Sequence, residues 1–369
     1  MPVMPMTRMM PVMPVMPMMT MMPMMPMMPT TTTHPLRRFI GRMACALTAF
    51  IAATAAQAQT APACPPTAQV PTAEQAHAGM RDARDRGFLW RLRRDGRVSF
   101  LYGTVHVARV EWVYPGPRVL RALNASDTVA LELDLLDPEI QRRLGSAMAA
   151  SAQSSGSAKG TPSTSLPNPL PNPLPEAMQQ RLQRQIEAEC LPAQAFAALS
   201  PEMQIVTLTS LSGRRDGLDP SYGIDIFLAG WAHAAKKTVV SLETPELQIA
   251  LLKADTEAER NEFVQSALAQ LESGQSRPML RRMTQAWAEG NLADFTSYGE
   301  WCECIKTDAD RAAMARLLDD RNPALADAVA ALHANGRRVF AAVGSLHMAG
   351  PMGLPALLAQ RGFQVERLP

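Results

Sequence analysis

Apolar and polar positions change their period several times along this chain, and each change marks an element. The stretches FLWRLR (88–93) and RVSFLYG (97–103) alternate on either side of RRDGR, and Asp95-Gly96 is a tight-turn pair, so a β-hairpin is predicted. GPRVLRALNAS then reads as a short helix, and DTVALELDL as a third strand bearing Glu132 and Asp134. DPEIQRRLGSAM opens a helix, with Asp137 as its cap and Pro138 in its first turn. From 176 to 335 apolar residues recur every three to four positions, which predicts a large helical block. TVVSLE (238–243) interrupts that block as a short strand ending in Glu243. Beyond Gly336, a helix-ending glycine, RRVFAAVG reads as a strand, MGLPALLAQRG as a helix and FQVERL as a last strand.

The two ends of this pattern match. FLYGTVHV (100–107) runs strand, Gly103, His106, and a helix and strand follow; AAVGSLHM (341–348) runs strand, Gly344, His347, and again a helix and strand follow. The predicted fold is therefore α/β (α+β): a mixed central sheet built from two strand–GxxH–helix–strand units, with the helical block inserted between them. Each unit has the β–α–β order of a parallel pair. The two glycines are expected to let the backbone turn sharply as it leaves the sheet.

Composition divides the chain. Residues 1–33 are nearly all Met, Pro, Thr and Val and hold 15 of the 25 methionines, a low-complexity run that can bury no core. Arg37, Arg38 and Arg42 precede the short apolar run Ala44–Ala56, and Ala56-Gln57-Ala58 is a cleavage-site pattern. Residues 1–58 thus read as a leader with a secretory signal peptide cut after Ala58, and the expected location is periplasmic or secreted, with no membrane attachment once it is removed. Residues 59–85 read as a flexible lead-in and 86–369 as the folded domain. Residues 151–175, rich in Ser, Gly and Pro with a repeated LPNP, read as a disordered linker. With the leader go four arginines, leaving a slightly acidic remainder and no basic field for a nucleic acid. Cys45 is lost too. Cys64, Cys190, Cys302 and Cys304 remain, an even set in an oxidising compartment that allows two disulfides in three connectivities.

The chemistry sits in the repeated unit. Loops at the carboxyl ends of sheet strands carry ligand-handling groups in α/β proteins. A histidine after a strand is ordinarily a packed or surface residue, but a pair in matching contexts can face one crevice. With Glu132, His106 and His347 would make an open two-imidazole, one-carboxylate site for a divalent metal, able to acidify a bound water. Glu243 is then a general base or a further ligand. Glu132 and Asp134, two apart on a predicted strand, share a face. His233 lies beside Lys236 and Lys237, and His333, in the last turn of a helix, suits the negative end of its dipole.

FLYGTVHV, ALELD, YGIDIFLAGWAHAAKKTVVSLETPELQ, LLDDRNPALADAV and the closing VFAAVGSLHMAGPMGLPALLAQRGFQVERL resemble the TraB/GumN family, related to the Tiki proteins. The resemblance covers residues 86–369 apart from the linker. It implies a metallohydrolase-like site at the GxxH histidines His106 and His347 and at Glu132, holding Mn²⁺ or Co²⁺, and a peptidase-like activity; the donor set itself would also accept Zn²⁺. It also draws in Glu243, Thr244 and Gln248, the helix-opening Gly223–Asp225, where Asp225 can be a plain cap, and Arg321 with Asn322, which would orient a substrate. Three readings stand open: a metal-dependent hydrolase, a non-catalytic peptide- or polysaccharide-binding protein of the pheromone-shutdown or polysaccharide-biosynthesis kind, and a metal-free hydrolase using a His–Glu pair.

Overall fold

The computed structural model describes residues 63–154 and 174–369. The expected signal peptide and most of the expected linker lie outside these residues. Six strands form one mixed sheet: β1 (Phe88–Arg94), β2 (Arg97–Thr104), β3 (Thr128–Leu131), β4 (Thr238–Ser241), β5 (Val339–Gly344) and β6 (Gln364–Leu368), in the order β4-β3-β5-β2-β1-β6. β1 is antiparallel to both β2 and β6, and the other pairings are parallel. The hairpin turns at Asp95 and Gly96, with φ of 50° and 71°, the two left-handed conformers of a type I′ turn. β3 and β5 are buried almost throughout, as parallel strands covered on both faces must be, whereas β6 at the edge is largely exposed.

The two repeated units interleave. The strands of each unit run parallel, but they are not neighbours: β5 lies between β2 and β3, and β2 and β1 lie between β5 and β6. What does pair is the first strand of one unit with the first strand of the other, Thr104 opposite Gly344. From this central pair the chain leaves in opposite directions along the sheet, β2 toward β3 and β5 toward β6. By the right-handed crossover rule, these directions assign the helices Pro117–Ala125 and Ile224–Ala234 to one face, and Asn322–Ala334 and Leu354–Gln360 to the other. The last two do pack on each other. Such a reversal opens a crevice at the carboxyl ends of the two strands, between loops that part to opposite faces.

Several local expectations change. The helix predicted from Pro138 continues through Ser154, so Ser151–Ser154, placed in the linker by composition, are helical, and Leu174 at its other end is buried. The described part of the lead-in carries structure of its own. Ala73–Arg81 is a helix closed by a Thr72–Gln75 capping box, and Gly79 backs onto the Tyr114 ring. The Gln69 N–H donates to Tyr222 Oη at 2.7 Å, and Tyr222 donates back to the Gln69 carbonyl at 3.0 Å. His333 is not a dipole partner at the surface. It is fully buried: the Arg94 carbonyl can only accept, so Nε2 donates to it at 3.0 Å, which leaves Nδ1 to accept from Ser99 Oγ at 2.8 Å, while Ser99 Oγ accepts from the Val339 N–H. It therefore ties its helix to the central strands.

A second apolar cluster, around Phe196, Ile205, Leu208, Val264 and Leu268, holds the helices Glu176–Ala188, Pro201–Leu211 and Glu257–Glu272 together apart from the sheet core. Of the three connectivities the structure forms Cys64–Cys190 and Cys302–Cys304. Cys190 ends the Glu176 helix in a left-handed conformer (φ 52°), beside a Leu191 N–H to Ile186 carbonyl bond. Cys64–Cys190 closes a 126-residue separation, which in the chain-entropy view restricts the unfolded state by about 4–5 kcal/mol. Cys64→Ser with Cys190→Ser is expected to lower unfolding free energy by a similar amount in urea titration. A doubly substituted chain that unfolds at the parent's midpoint would show that this link constrains nothing. Among the described residues no helix is long and apolar enough to cross a membrane.

Candidate active site at the ends of the parallel strands

The ends of β2, β3, β4 and β5 deliver one side chain each to the same edge of the sheet. His106 follows β2, Glu132 follows β3, Glu243 follows β4, and His347 lies in the 3₁₀ turn Ser345–Met348 after β5. β3 and β4 continue to pair just past their ends, Leu242 N–H to Leu131 O at 2.7 Å and Glu243 N–H to Glu132 O at 3.1 Å, which sets the two glutamates side by side. Thr244 then caps the helix Pro245–Leu252, and Gln248 from its first turn reaches back to Glu243 at 3.1 Å and Glu132 at 3.4 Å.

Arg321 fills the space between the two carboxylates. It stands at the start of the Asn322–Ala334 helix, with a side chain 11% exposed. Its Nε donates to Glu243 Oε1 at 2.9 Å and its Nη2 to both Glu243 Oε2 and Glu132 Oε2, the latter at 2.8 Å. Nη1 donates to the Leu317 carbonyl at 2.8 Å and lies 3.3 Å from His347 Nε2. A fork of five donors thus answers two carboxylates at once. Glu132 Oε1 accepts in addition from the Gly344 N–H at 2.7 Å. Desolvation raises the Glu132 pKa, but His106, His347, Arg321 and the Gly344 N–H outweigh it and bring it down to about 2.

The two histidines come to the same crevice in different states. His347 is 3% exposed. Asn322 donates from Nδ2 to the Met352 carbonyl at 2.8 Å, so its Oδ1 is an acceptor, and His347 Nδ1 must donate to it at 2.6 Å. That fixes the proton on Nδ1 and leaves the Nε2 lone pair turned toward Arg321. Burial is the main cause of a His347 pKa lowered to about 4, with Arg321 acting in the same sense and Glu132 opposing it. His106 is 62% exposed, and its Nδ1 lies 3.3 Å from Asp225 Oδ1. Asp225 sits in the first turn of the Ile224–Ala234 helix, held to the His106 loop by the Ile224 N–H to Val105 carbonyl bond. The Asp225 carboxylate raises the His106 pKa to about 9 against desolvation, and water at the open face of the ring screens part of that attraction.

The motif glycines serve close approach rather than turning. Neither Gly103 nor Gly344 has a positive φ; Gly344 lies at −50°. A methyl on Gly103 would stand 2.8 Å from Ser345 Oγ and 3.1 Å from the Phe88 ring. One on Gly344 would stand 3.2 Å from Glu132 Oε1, 3.6 Å from His106 Nε2 and 3.7 Å from His347 Cδ2. The point above Gly344 is therefore where the three predicted ligand residues meet.

Their convergence does not by itself make a metal centre. Among the described residues no group of three or more His, Cys, Asp and Glu side chains is arranged to hold a metal ion. The physical reason is Arg321: its guanidinium bonds the Glu132 and Glu243 oxygens and faces the His347 lone pair that a cation would need. The donor types suit a divalent ion, but as placed they do not fit one.

Other residues singled out in the sequence go elsewhere. Glu132 and Asp134 do not share a strand face, because β3 stops at Leu131; Asp134 instead takes His233 Nε2 at 2.7 Å. Asn322 is 1% exposed, and both ends of its amide serve protein partners, which suits holding His347 rather than touching a substrate. Arg321 points inward to the glutamates. Asp225, legible in sequence only as a helix cap, is the residue beside His106, and nothing in its local pattern signals a partner 119 positions away.

A family model described as the TraB/PrgY/gumN family matches residues 88–367. No curated protein and no solved structure matches the chain. The matched span starts at the first residue of β1, ends within β6, and contains both GxxH loops, the two glutamates and Arg321. The chain belongs to the TraB/PrgY/gumN family.

Proposed function

We propose that the crevice above Gly344 hydrolyses peptide bonds, with His106 as the group that moves the proton. The observation that carries this reading is the His106–Asp225 pair at the mouth of the crevice: a solvent-open imidazole with a carboxylate at Nδ1 and Nε2 turned toward Glu132 and Gly344. A carboxylate 3.3 Å from Nδ1 favours the proton on that nitrogen, leaving Nε2 free to act, and stabilises the imidazolium that results; the contact is electrostatic, since Asp225 Oδ1 has no hydrogen-bond partner among the described residues. In the neutral ring Nε2 takes a proton from water, and the water oxygen bonds to the substrate carbonyl carbon. The tetrahedral adduct then collapses. The C–N bond breaks, its electron pair stays with nitrogen, and His106 returns the proton to the leaving amine. Glu132, anchored by Arg321 and the Gly344 N–H, keeps negative charge beside the imidazolium at no cost in reorganisation.

A second reading, the metal-dependent hydrolase, is favoured by the meeting of the His347 Nε2 lone pair with Glu132 and Glu243, a donor set suited to Mn²⁺, Co²⁺ or Zn²⁺. It requires Arg321 to leave its place beside Glu132 and Glu243. Incubation of the purified chain with a peptide library, in chelator and separately in each metal, tests both. Cleavage in chelator, lost in His106→Ala, is the expected result. Cleavage only with metal added would transfer the role to the second reading. Saturable peptide or polysaccharide binding with no cleavage under any condition would make this a binding protein and overturn the hydrolase.

A further inference from the structure

A cleft of about 430 Å³ opens beside the His106 loop, between residues 109–112 and the helix Ser276–Ala288. Arg109, Trp112, Arg281, Arg282, Thr284 and Gln285 are among its lining, and among the described residues no acidic side chain lines it. Its three guanidinium groups are not equally neutralised. Arg282 is answered in full by Asp294, with two bonds of 3.0 Å. Arg281 comes only within 3.9 Å of Asp216, whose two oxygens already accept from Arg277 at 2.6 and 2.7 Å. Arg109 reaches Glu111 only at 4.0 Å, its guanidinium lies over the Trp112 ring at 5.3 Å, and its buried Nε finds no acceptor among the described residues. Two incompletely paired arginines, with Asp216 as their shared acidic neighbour, thus line a concave space with an aromatic wall, while Thr284 and Gln285 are already bonded to the Leu280 carbonyl and to Glu289.

Nothing in the crevice chemistry uses this cleft, yet the two are close. Arg109 is three residues past His106, so their Cα atoms are no more than about 11 Å apart. That is the length of about three residues of extended peptide. The Ala108–Asp219 backbone bridge pins the loop between them.

We propose that this cleft is a subsite for a carboxylate side chain of a peptide, received by Arg109 and Arg281 within about three residues of the bond presented to His106. The inference rests on the peptide reading above and adds the sequence preference. An ionised carboxylate accepts from guanidinium donors in bidentate fashion, which its amide isostere cannot match. Trp112, 8% exposed on the cleft wall, supplies an optical readout that needs no turnover.

The test measures binding directly. The purified chain is titrated, by calorimetry and tryptophan fluorescence, with a blocked hexapeptide containing one glutamate and with the same peptide carrying glutamine in its place. The glutamate peptide is expected to bind at least tenfold more tightly at low salt, with the advantage shrinking as salt rises. Arg281→Glu, a change at a half-exposed side chain, should abolish the difference while the thermal midpoint stays within a few degrees; Arg109→Gln should reduce it. Equal affinity for both peptides, or a preference untouched by Arg281→Glu, would overturn the subsite. A preference that persists in a chain that cleaves nothing would keep the subsite and reject only the hydrolase, whereas cleavage with no acidic preference would do the reverse.

Discussion

Arg321→Ala is expected to be the most damaging single substitution in this chain, lowering unfolding free energy by about 3–5 kcal/mol at pH 7. Removing one member of a buried ionic cluster leaves the others uncompensated, and that loss is larger than the net worth of the intact cluster. Here the members left behind are Glu132 and Glu243, whose side chains are 11% and 4% exposed and which share a single guanidinium. Only Gln248, a neutral donor, would remain between them. The pH dependence identifies the cause. The Glu132 pKa lies near 2, below its unfolded value, so its contribution is present above the ordinary carboxylate range and is lost as pH falls through about 2. Glu132 itself therefore withdraws little stability in mild acid, whereas buried His347, whose pKa is lowered to about 4, makes the parent lose stability as pH falls below the ordinary histidine value. The variant should be worst at neutral pH and draw closer to the parent as acid protonates the crowded carboxylates. Arg321→Ala combined with Glu243→Gln should recover a substantial part of the loss, because one of the two like charges is gone. Urea unfolding at pH 7 and pH 4.5 measures all of this. A single variant within 1 kcal/mol of the parent at both pH values would show that the guanidinium does not hold the carboxylates together.

The second large effect is on rate. His106→Gln is expected to lower kcat/KM by about 10²–10⁴-fold, the usual contribution of a positioned proton-transfer group. The pH profile distinguishes base from acid. A base acts when neutral, and Asp225 raises the His106 pKa to about 9, so at pH 7 most of the ring is protonated and inactive. The rate should then climb about tenfold per pH unit through the neutral range and level off near pH 9, or somewhat below because the ring is open to water. Asp225→Asn removes the largest cause of that rise. The alkaline limb should move toward the ordinary histidine value near 6.5, with a lower plateau. A profile that falls through this range instead would make His106 the acid, and a limb unmoved by Asp225→Asn would assign it to another group.

His347 shows how the same motif takes a second role. Both histidines follow a glycine by three residues, yet one is 62% exposed beside a carboxylate and the other is 3% exposed against an amide and a guanidinium. Their pKa values part in opposite directions from one starting value, to about 9 and about 4. Environment, not residue type, sets the two rings apart.

Much of this protein was fixed by local pattern. Alternation around Asp95-Gly96 determined the hairpin, because a type I′ turn needs two left-handed conformers that few other pairs supply. Apolar spacing determined the helical block, and the twofold occurrence of strand–GxxH–helix–strand pointed to His106 and His347 as one site, with Glu132 and Glu243 at neighbouring strand ends. Tertiary structure alone decided how those pieces meet. It set β2 against β5 rather than against β3, since strand order depends on where crossovers lie and not on sequence proximity. It placed Arg321 between two glutamates that stand 189 and 78 positions away from it in the chain, and Asp225 beside His106. Periodicity reports which face of an element is buried, whereas charge pairing depends on distances between elements, and those exist only once the sheet has closed.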